Sequence, residues 1–304
     1  MDRRRTLKMR TREAITGYIF FSPGLIGLVV FLAVPILYSL YLSFTTYNIY
    51  QTPRWVGLDN YRIMLTGEDP LFWKSLGNTL YYVALSVPIN VAAGVLLAIL
   101  MNQKVRGIRV FRTIYFLPSV ASGVAVALLW QWILDPNFGL INTFLANFGI
   151  EGPGWLIDEK WSKPSLVLMN IWSVGGGMII YLAGLQGVPA SLYEAATVDG
   201  AGALRKFWNI TLPMLTPTIF YNVVTGVLSG FQVFLQAYIM TGGGPNNSTM
   251  FYVFHLYNKA FKDTQMGYAS AMAWILLVVS LLCTLLIFKS GSSWVYYEGA
   301  DSKK

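Results

Sequence analysis

The sequence predicts an all-α polytopic membrane protein with six transmembrane helices, because of its composition and the length of its apolar runs. Hydrophobic residues make up 55% of the 304 residues and charged residues only 12%, against about 25% charged residues in an average soluble domain. Six apolar runs reach the roughly 20 residues that a helix needs to cross the hydrocarbon core. These runs are residues 17–46, 76–101, 113–134, 164–186, 213–240 and 267–288.

Two of the six runs have irregular sequences. The first contains Pro23 and Pro35, where kinks are expected, and it follows a basic segment that resembles the start of a signal peptide. Because the run is longer than the apolar part of a signal peptide and no A-x-A site follows, it is predicted to be an uncleaved first helix. The fourth run contains three glycines, 175–177. They indicate either close packing against another helix or a flexing point for transport.

The distribution of basic residues predicts the orientation in the membrane. Fifteen of the 22 Lys and Arg residues lie in the N-terminal segment, the 102–112 and 187–212 loops and the C-terminus, and seven lie in the other three connections. The positive-inside rule places the richer side, with both termini, in the cytoplasm. The net charge of +8 forms no continuous basic stripe. Nucleic-acid binding is therefore not indicated.

The chain contains few side chains that could act in catalysis, proton transfer or metal binding. None of the six runs contains Asp, Glu, Lys, Arg or His, which argues against a proton-coupled carrier but leaves open a sodium site built from carbonyls. The single His255 is interpreted as a structural or surface residue and the single Cys283 as a small buried apolar residue, and no metal site is expected. The sequence also lacks the phosphate-binding pattern G-x-x-x-x-G-K-[ST], so any ATP hydrolysis must come from another subunit. We expect one membrane domain, residues 1–304, that is not an enzyme.

The most informative connection is the loop of residues 189–213. Pro189 suits the start of a short helix, Gly200 is expected to end it in a left-handed conformation, and a second short helix is expected over Ala203–Asn209. Such helices cannot bury all of their apolar side chains, so the loop is either a partner surface or a segment that lies on lipid headgroups or beneath its own helices. These side chains are Leu192, Tyr193, Leu204, Phe207 and Trp208.

The same loop resembles the EAA signature of ABC-importer permeases. The matching positions are Glu194-Ala195-Ala196, Gly200, Ile210 and Leu212-Pro213. Residues Trp55–Tyr61 are similar to a G-L-x-N-Y segment, and Thr241–Pro245 to a T-x-G-G-P segment, of carbohydrate-type ABC permeases. The chain most resembles the larger permease of the maltose importer, without that subunit's additional N-terminal helices and large external domain.

The resemblance implies a type I ABC-importer permease in a bacterial or archaeal inner membrane. Its partners would be a second homologous permease in a heterodimer, two ATP-binding subunits and an extracytoplasmic solute-binding protein. ATP and magnesium would be bound by the ATPase, and this chain would hold no cofactor. The 189–213 loop would couple to the ATPase, with Glu194 contacting a basic residue, Gly200 setting the turn, and Leu204 and Phe207 filling a cleft. The predicted coupling residues are Tyr193, Glu194, Ala195, Ala196, Asp199, Gly200, Leu204 and Phe207.

A sugar cargo is expected because uncharged spans with amide and aromatic side chains suit carbohydrate binding. Gln232 and Gln236 are four residues apart and are predicted to share a helix face. For each polar candidate, hydrogen bonding between helices is an equally good explanation, and the glycines 226 and 230 indicate packing. The candidates are Gln131, Asn170, Asn222, Phe231, Gln232, Gln236 and Tyr238, with Trp130 and Trp172 nearby. The alternatives are an ABC permease for a non-sugar solute such as a glycerophosphodiester or an amino acid, and an ion-coupled carrier or channel that works alone.

Overall fold

The computed structural model describes residues 3–103 and 105–296. Lys104, Lys303 and Lys304, which contribute to the charge argument, lie outside the described residues. The chain divides into two compact units, one of Met1–Thr66 with Lys259–Ile275 and one of Gly67–Asn258 with Leu276–Lys304. The single domain expected over residues 1–304 remains a prediction.

The first unit begins with a long helical stretch made of α1 (Arg3–Leu28), a π-helical turn (Val29–Ala33) and α2 (Val34–Ser43). The π turn stands just before Pro35, and the Val34 N–H bonds to the Val29 carbonyl five residues earlier. This wider turn accommodates a proline that cannot continue the α-helical ladder. The helix continues without interruption through Pro23.

The segment resembling G-L-x-N-Y ties the end of α2 to the next helix of the first unit. The Asn60 side-chain amide donates to the carbonyl oxygens of Ser43 and Thr45, at 2.8 and 2.9 Å. The Tyr61 hydroxyl donates to Ser43 Oγ at 2.8 Å. The elements here are an antiparallel pair of two-residue strands, β1 (Thr45–Thr46) and β2 (Arg54–Trp55), and helix α3 (Asp59–Thr66).

The second unit is built around α4 (Pro70–Met101), which packs against α8 (Glu159–Ile171), α9 (Gly175–Gln186), α12 (Leu212–Phe231) and α14 (Tyr252–Tyr257). Pro70 occupies the first turn of α4, and the Asp69 carboxylate accepts from the Leu71 N–H at 3.0 Å, which caps the helix. The other helices of this unit are α5 (Ile108–Val120), α6 (Gly123–Ile133), α7 (Leu140–Ala146), α8 (Glu159–Ile171), α9 (Gly175–Gln186), α10 (Ala190–Val198), α11 (Ala203–Lys206), α12 (Leu212–Phe231), α13 (Leu235–Met240) and α14 (Tyr252–Tyr257). Helix α15 (Met266–Trp294) supplies residues to both units.

The number of membrane spans is four to six, in an all-α polytopic membrane protein. Within the described residues, four helical stretches are each long and apolar enough to cross a membrane, and two bent helix pairs make six if each pair is one span. The third and fourth predicted runs are broken. The helical direction bends by 99° between α5 and α6 and by 50° between α8 and α9. The fifth run is also interrupted, because α12 ends at Phe231 and α13 begins at Leu235.

Glycines allow the helices of the second unit to approach closely. A side chain at Gly175 would collide with the Tyr115 carbonyl, so the break between α8 and α9 lies against the backbone of α5. The glycines 226 and 230 contact α4, since a Cβ atom would lie 3.4 Å from Val87 at the first and 2.9 Å from Val83 at the second. The interpretation of these two glycines as packing residues is confirmed.

A polar network fixes the segment that resembles T-x-G-G-P to the start of α4. The Asn78 amide donates to the carbonyl oxygens of Asn247 and Met250, at 2.9 and 3.1 Å. His255 Nε2 lies 2.7 Å from the Asp69 carboxylate, and both side chains are buried. Burial raises the pKa of Tyr252 far above its usual range, and the Asp69 carboxylate adds to the rise, so this phenol stays neutral. Because its ring is buried against the Asp69 carboxylate, His255 is a structural residue.

Candidate coupling surface and cargo cavity

Gly200 ends α10 as the sequence predicts. Its φ angle is +73°, in the left-handed region that glycine adopts without strain. The Ala201 N–H bonds to the Ala196 carbonyl at 2.8 Å, and the Gly200 N–H bonds to the Thr197 carbonyl at 3.0 Å. These two bonds form a Schellman motif, which satisfies the last carbonyls of the helix and turns the chain sharply.

The second helix of the loop begins at Ala203 as predicted, but it does not end near Asn209. Helix α11 continues through a π-helical turn (Phe207–Thr211) into α12, and the three together form one candidate span from Ala203 to Phe231. In the π turn the Leu212 N–H bonds to the Phe207 carbonyl, five residues back. The helix can therefore pass Pro213, which the sequence suggested as a boundary.

The loop exposes an apolar surface made of Val198, Leu204 and Trp208. These side chains are 89%, 72% and 58% exposed. Glu194 is exposed as well, whereas Phe207 is partly buried, with its ring edge-on to Trp208. Val198 was not among the predicted coupling residues. Val198 stands immediately before the Asp199-Gly200 pair that ends the helix, and this position in the sequence could have identified it.

Hydrogen bonds hold α10 against the start of the fifth span. The hydroxyls of Tyr193 and Thr211 lie 3.0 Å apart, and Lys206 Nζ donates to Thr197 Oγ1 at 2.7 Å. Tyr193 therefore positions the loop more than it adds to its exposed surface. Two side-chain hydrogen bonds thus join α10 to the helical stretch that begins at Ala203 and continues into α12.

A cavity of about 640 Å³ lies where the interrupted helices of the second unit meet α4. Its size is within the range of small-molecule sites, about 300–1,000 Å³. No residue that lines it, among those the structure describes, carries a charge. Polar lining comes from α4, from both sides of the α8–α9 break and from both sides of the α12–α13 break. The amide side chains are Asn90, Asn170, Asn222, Gln232 and Gln236.

Four of the seven predicted cargo residues line this cavity and three do not. Asn170, Asn222, Gln232 and Gln236 line it. The other three lie elsewhere: Phe231 is buried in a core cluster with Val83, Val87 and Val227, Tyr238 stacks on Phe234 at 5.3 Å, and Gln131 is exposed. Trp130 and Trp172 pack edge to face at 5.9 Å, away from the lining.

Gln232 and Gln236 reach the cavity for a different reason from the one that the sequence suggested. They do not share a helix face, because the helix stops between them: Phe234 has φ −145° and ψ −60°. Gln232 caps the end of α12 and Gln236 lies in the first turn of α13. The helix-periodicity argument was therefore wrong, although both residues line the same space.

The cavity retains unused hydrogen-bonding capacity. Asn170 donates to the Tyr82 hydroxyl at 3.0 Å and Asn222 to the Thr218 carbonyl at 2.9 Å. The side-chain amide of Asn90 forms no hydrogen bond within residues 3–103 and 105–296. The sequence analysis missed Asn90, although its place in the uncharged 76–101 run satisfies the criterion used for the other amides.

No cluster of His, Cys, Asp or Glu that could hold a metal ion occurs in the part of the chain that the structure describes. The second unit thus combines a polar, uncharged cavity at helix breaks with an exposed apolar loop.

Comparisons with known proteins agree with this arrangement. The family model for the binding-protein-dependent transport system inner membrane component matches residues 90–289. The probable ABC transporter permease protein YesP of Bacillus subtilis is 42% identical over 95% of this chain and 94% of its own length. The lactose transport system permease protein LacF of Rhizobium radiobacter is 34% identical over 90% of this chain and 93% of its own.

A solved structure resembles the chain over nearly its whole length. A chain of a bacterial alginate ABC transporter, crystallised with an alginate pentasaccharide-bound periplasmic protein, has a TM-score of 0.80 and 26% identity. The match covers 92% of this chain and 94% of that one. Together with the family match over residues 90–289, these similarities show that the chain belongs to the inner-membrane permeases of binding-protein-dependent ABC importers, of the carbohydrate-uptake type, and is a multi-pass subunit that is not itself catalytic.

Proposed function

We propose that this permease carries sugars or oligosaccharides through the membrane, with ATP hydrolysis on a separate subunit driving alternating access of the pore. The observation that carries the proposal is the uncharged, amide-lined cavity at the helix breaks. Amide groups both donate and accept hydrogen bonds, as sugar hydroxyls require of their partners. The aromatic side chains of Tyr82, Tyr181 and Phe234 line the same space and offer apolar contact.

The absence of charge in the described lining favours a neutral cargo over the alternatives. A glycerophosphodiester or an amino acid would bring charges into a membrane-embedded space whose described lining has no charged side chain to pair with them. An unpaired charge in such a place is costly. Among the relatives, the name of LacF refers to lactose. The similar alginate transporter imports an acidic polysaccharide, so it supports a carbohydrate cargo but not a neutral one.

The energy source in this proposal is an ATPase that contacts the 189–213 loop on the cytoplasmic side. Exposed apolar side chains at Val198, Leu204 and Trp208 support this role, because exposed apolar residues are typical of partner sites. Leu204 and Trp208 also line a shallow groove. Glu194 is exposed and available to a basic residue of the ATPase. ATP and magnesium bind to that subunit and not to this chain. The positive-inside distribution supports cytoplasmic termini.

The proposed assembly has a second, homologous permease in a heterodimer, two ATP-binding subunits and an extracytoplasmic solute-binding protein. The first span is one candidate surface for the second permease. Its Phe20 and Phe31 side chains are 82% and 81% exposed, so lipid or another membrane chain must cover them.

Reconstitution tests this function and separates it from its rivals. The complex would be purified through a tag on this chain, placed in proteoliposomes with ATP inside, and given its binding protein with radiolabelled lactose, maltose or an alginate oligosaccharide. We expect uptake of at least one of these that requires both ATP and the binding protein. Flux through this chain alone would support a stand-alone carrier and contradict the proposal. Uptake of only a charged non-sugar solute would contradict the sugar assignment.

A further inference from the structure

Two arginines at the start of α5 (Ile108–Val120) are not used by the fold. The side chains of Arg106 and Arg109 are exposed, and neither forms a hydrogen bond or an ion pair within residues 3–103 and 105–296. No acidic residue occurs between positions 102 and 134 to neutralise them locally. These guanidinium groups are therefore available to an anion outside the chain, and phosphate is one that their planar geometry suits.

Arg112 provides the contrast within the same segment. Its guanidinium donates to the Met101 carbonyl oxygen at the end of α4, from Nε at 3.0 Å and from Nη2 at 2.6 Å. The side chain is partly buried by this contact. Arg112 thus ties α5 to α4 and has a role in the fold, whereas the two arginines before it have none.

An apolar row on α5 begins beside these arginines. It consists of Val110, Ile114 and Leu117, which are each more than half exposed. Their spacing of four and three residues places them on one face of the helix. On the opposite face, the backbone at Tyr115 and the side chain of Ser119 lie against two glycines of α9, 175 and 176. The packed face of α5 is therefore turned to the protein, and the apolar row is turned away from it.

The shape of α5 suits a helix that lies near the surface of the membrane. It has 13 residues, none of them buried, and the helical direction bends by 99° between it and α6. Thirteen residues are fewer than the roughly 20 that cross the hydrocarbon core. Cations at the loop end of a short helix, followed by an exposed apolar row, are typical of helices at the boundary between lipid headgroups and acyl chains.

From this arrangement we infer that the start of α5 binds an anionic phospholipid of the cytoplasmic leaflet. The lipid phosphate pairs with Arg106 and Arg109, and an acyl chain lies along the apolar row. The row favours a lipid over a contact with the ATPase, because a single lipid molecule supplies both the anion and the apolar chain beside it. The inference is independent of the cargo that the permease carries.

Photolabelling of the complex, purified in detergent through a tag on this chain, tests the site. The probe is phosphatidylglycerol with a photoreactive group in its acyl chain, and phosphatidylcholine with the same chain is the control lipid without net charge. Cleavage at methionine releases residues 102–169 as one fragment in every variant, and tandem mass spectrometry locates the label within it. We expect saturable labelling of residues 105–120, at a half-saturating concentration about tenfold or more lower for phosphatidylglycerol than for phosphatidylcholine.

The double variant Arg106→Gln/Arg109→Gln removes both charges from the site. We expect the half-saturating concentration of phosphatidylglycerol to rise about 10- to 30-fold, with the melting temperature and the labelling by phosphatidylcholine unchanged. Arg54→Gln/Lys160→Gln is the matched control, because it removes the same charge from two exposed residues in connections predicted to lie on the outer side. It should leave the labelling of residues 105–120 unchanged.

Three outcomes would overturn the inference. Equal half-saturating concentrations of the two lipids in the wild-type complex would show that α5 accepts acyl chains without recognising the headgroup. An unchanged phosphatidylglycerol titration in the double variant would exclude the two arginines as its ligands. Loss of the ATPase from the purified double variant, with the lipid titration unchanged, would assign the arginines to a protein contact instead.

Discussion

The 189–213 loop and the cavity of the second unit are built in opposite ways. The loop occupies one short stretch, 189–213, its conformation depends on local hydrogen bonds around Gly200, and it exposes apolar side chains. The cavity draws residues from positions 82–236, lies at two helix breaks, and has polar groups in its lining. The loop is therefore suited to hold a partner, and the cavity is suited to hold a small polar molecule. The span from Ala203 to Phe231 joins the two, since it begins in the loop and ends at the cavity.

The largest effect is expected from Gly200→Pro, which acts on the loop alone. Proline cannot adopt a φ of +73°, and it removes the N–H that bonds to the Thr197 carbonyl. We expect uptake by the reconstituted complex to fall to background while membrane insertion and the cavity remain intact, as measured by expression and melting temperature.

Gly77→Ala is the control for that variant, because residue 77 lies in α4, outside the loop and the cavity, and has open space at its Cβ position. Normal transport by Gly200→Pro would show that the loop does not couple to the ATPase.

The second-largest effect is expected from charges placed on the exposed apolar residues of the loop. Changing Val198 and Leu204 together to Glu places charges on side chains that are 89% and 72% exposed. The fold should tolerate them, but an apolar cleft on the ATPase should not. We expect ATPase binding about 10- to 100-fold weaker, measured by co-purification and by titration of the purified subunits. Leu65→Glu, on another exposed apolar residue, should leave binding unchanged, and equal binding by the double variant would exclude this surface as the docking site.

A smaller effect is expected in the cavity. Asn90→Leu removes an amide that has no partner in the described part of the protein and lies in the proposed cargo space. The KM for uptake should rise about fivefold, with ATPase binding unchanged. Gln131→Leu, on an exposed residue outside the cavity, is the control. A weakened ATPase interaction in Asn90→Leu, without any change in KM, would contradict the separation of the two regions.

The smallest effect is expected from Gly177→Ala. The added methyl group would meet Asn222 and Tyr181 at ordinary contact distances, so the helix should fold normally while the cavity becomes slightly narrower. We expect a loss of less than about 1 kcal/mol for a monosaccharide and a larger loss for longer cargo, measured by competition against disaccharide uptake. Equal losses for all sugar lengths would place the cargo away from this turn.

The sequence predicts the loop better than it predicts the cavity. The end of α10 at Gly200 and the exposure of Leu204 were predictable because turn chemistry and a contiguous motif depend on neighbouring residues. The break at Phe234 was not, because residues 231–235 contain neither Gly nor Pro and the interruption depends on tertiary packing. The choice between a lining and a core position, as for Gln236 and Phe231, depends on the rotation of each helix. No short-range sequence pattern determines that rotation.

The proposed function depends most on contact between an ATP-consuming partner and the 189–213 loop. A photo-cross-linking amino acid placed at Val198 and irradiated in whole cells tests that contact. We expect a product with the combined mass of this chain and its ATPase, and the same probe at Leu65 should not give it. A product with an extracytoplasmic protein instead, or labelling of position 198 by a reagent that cannot cross the membrane, would show that the loop does not contact the ATPase.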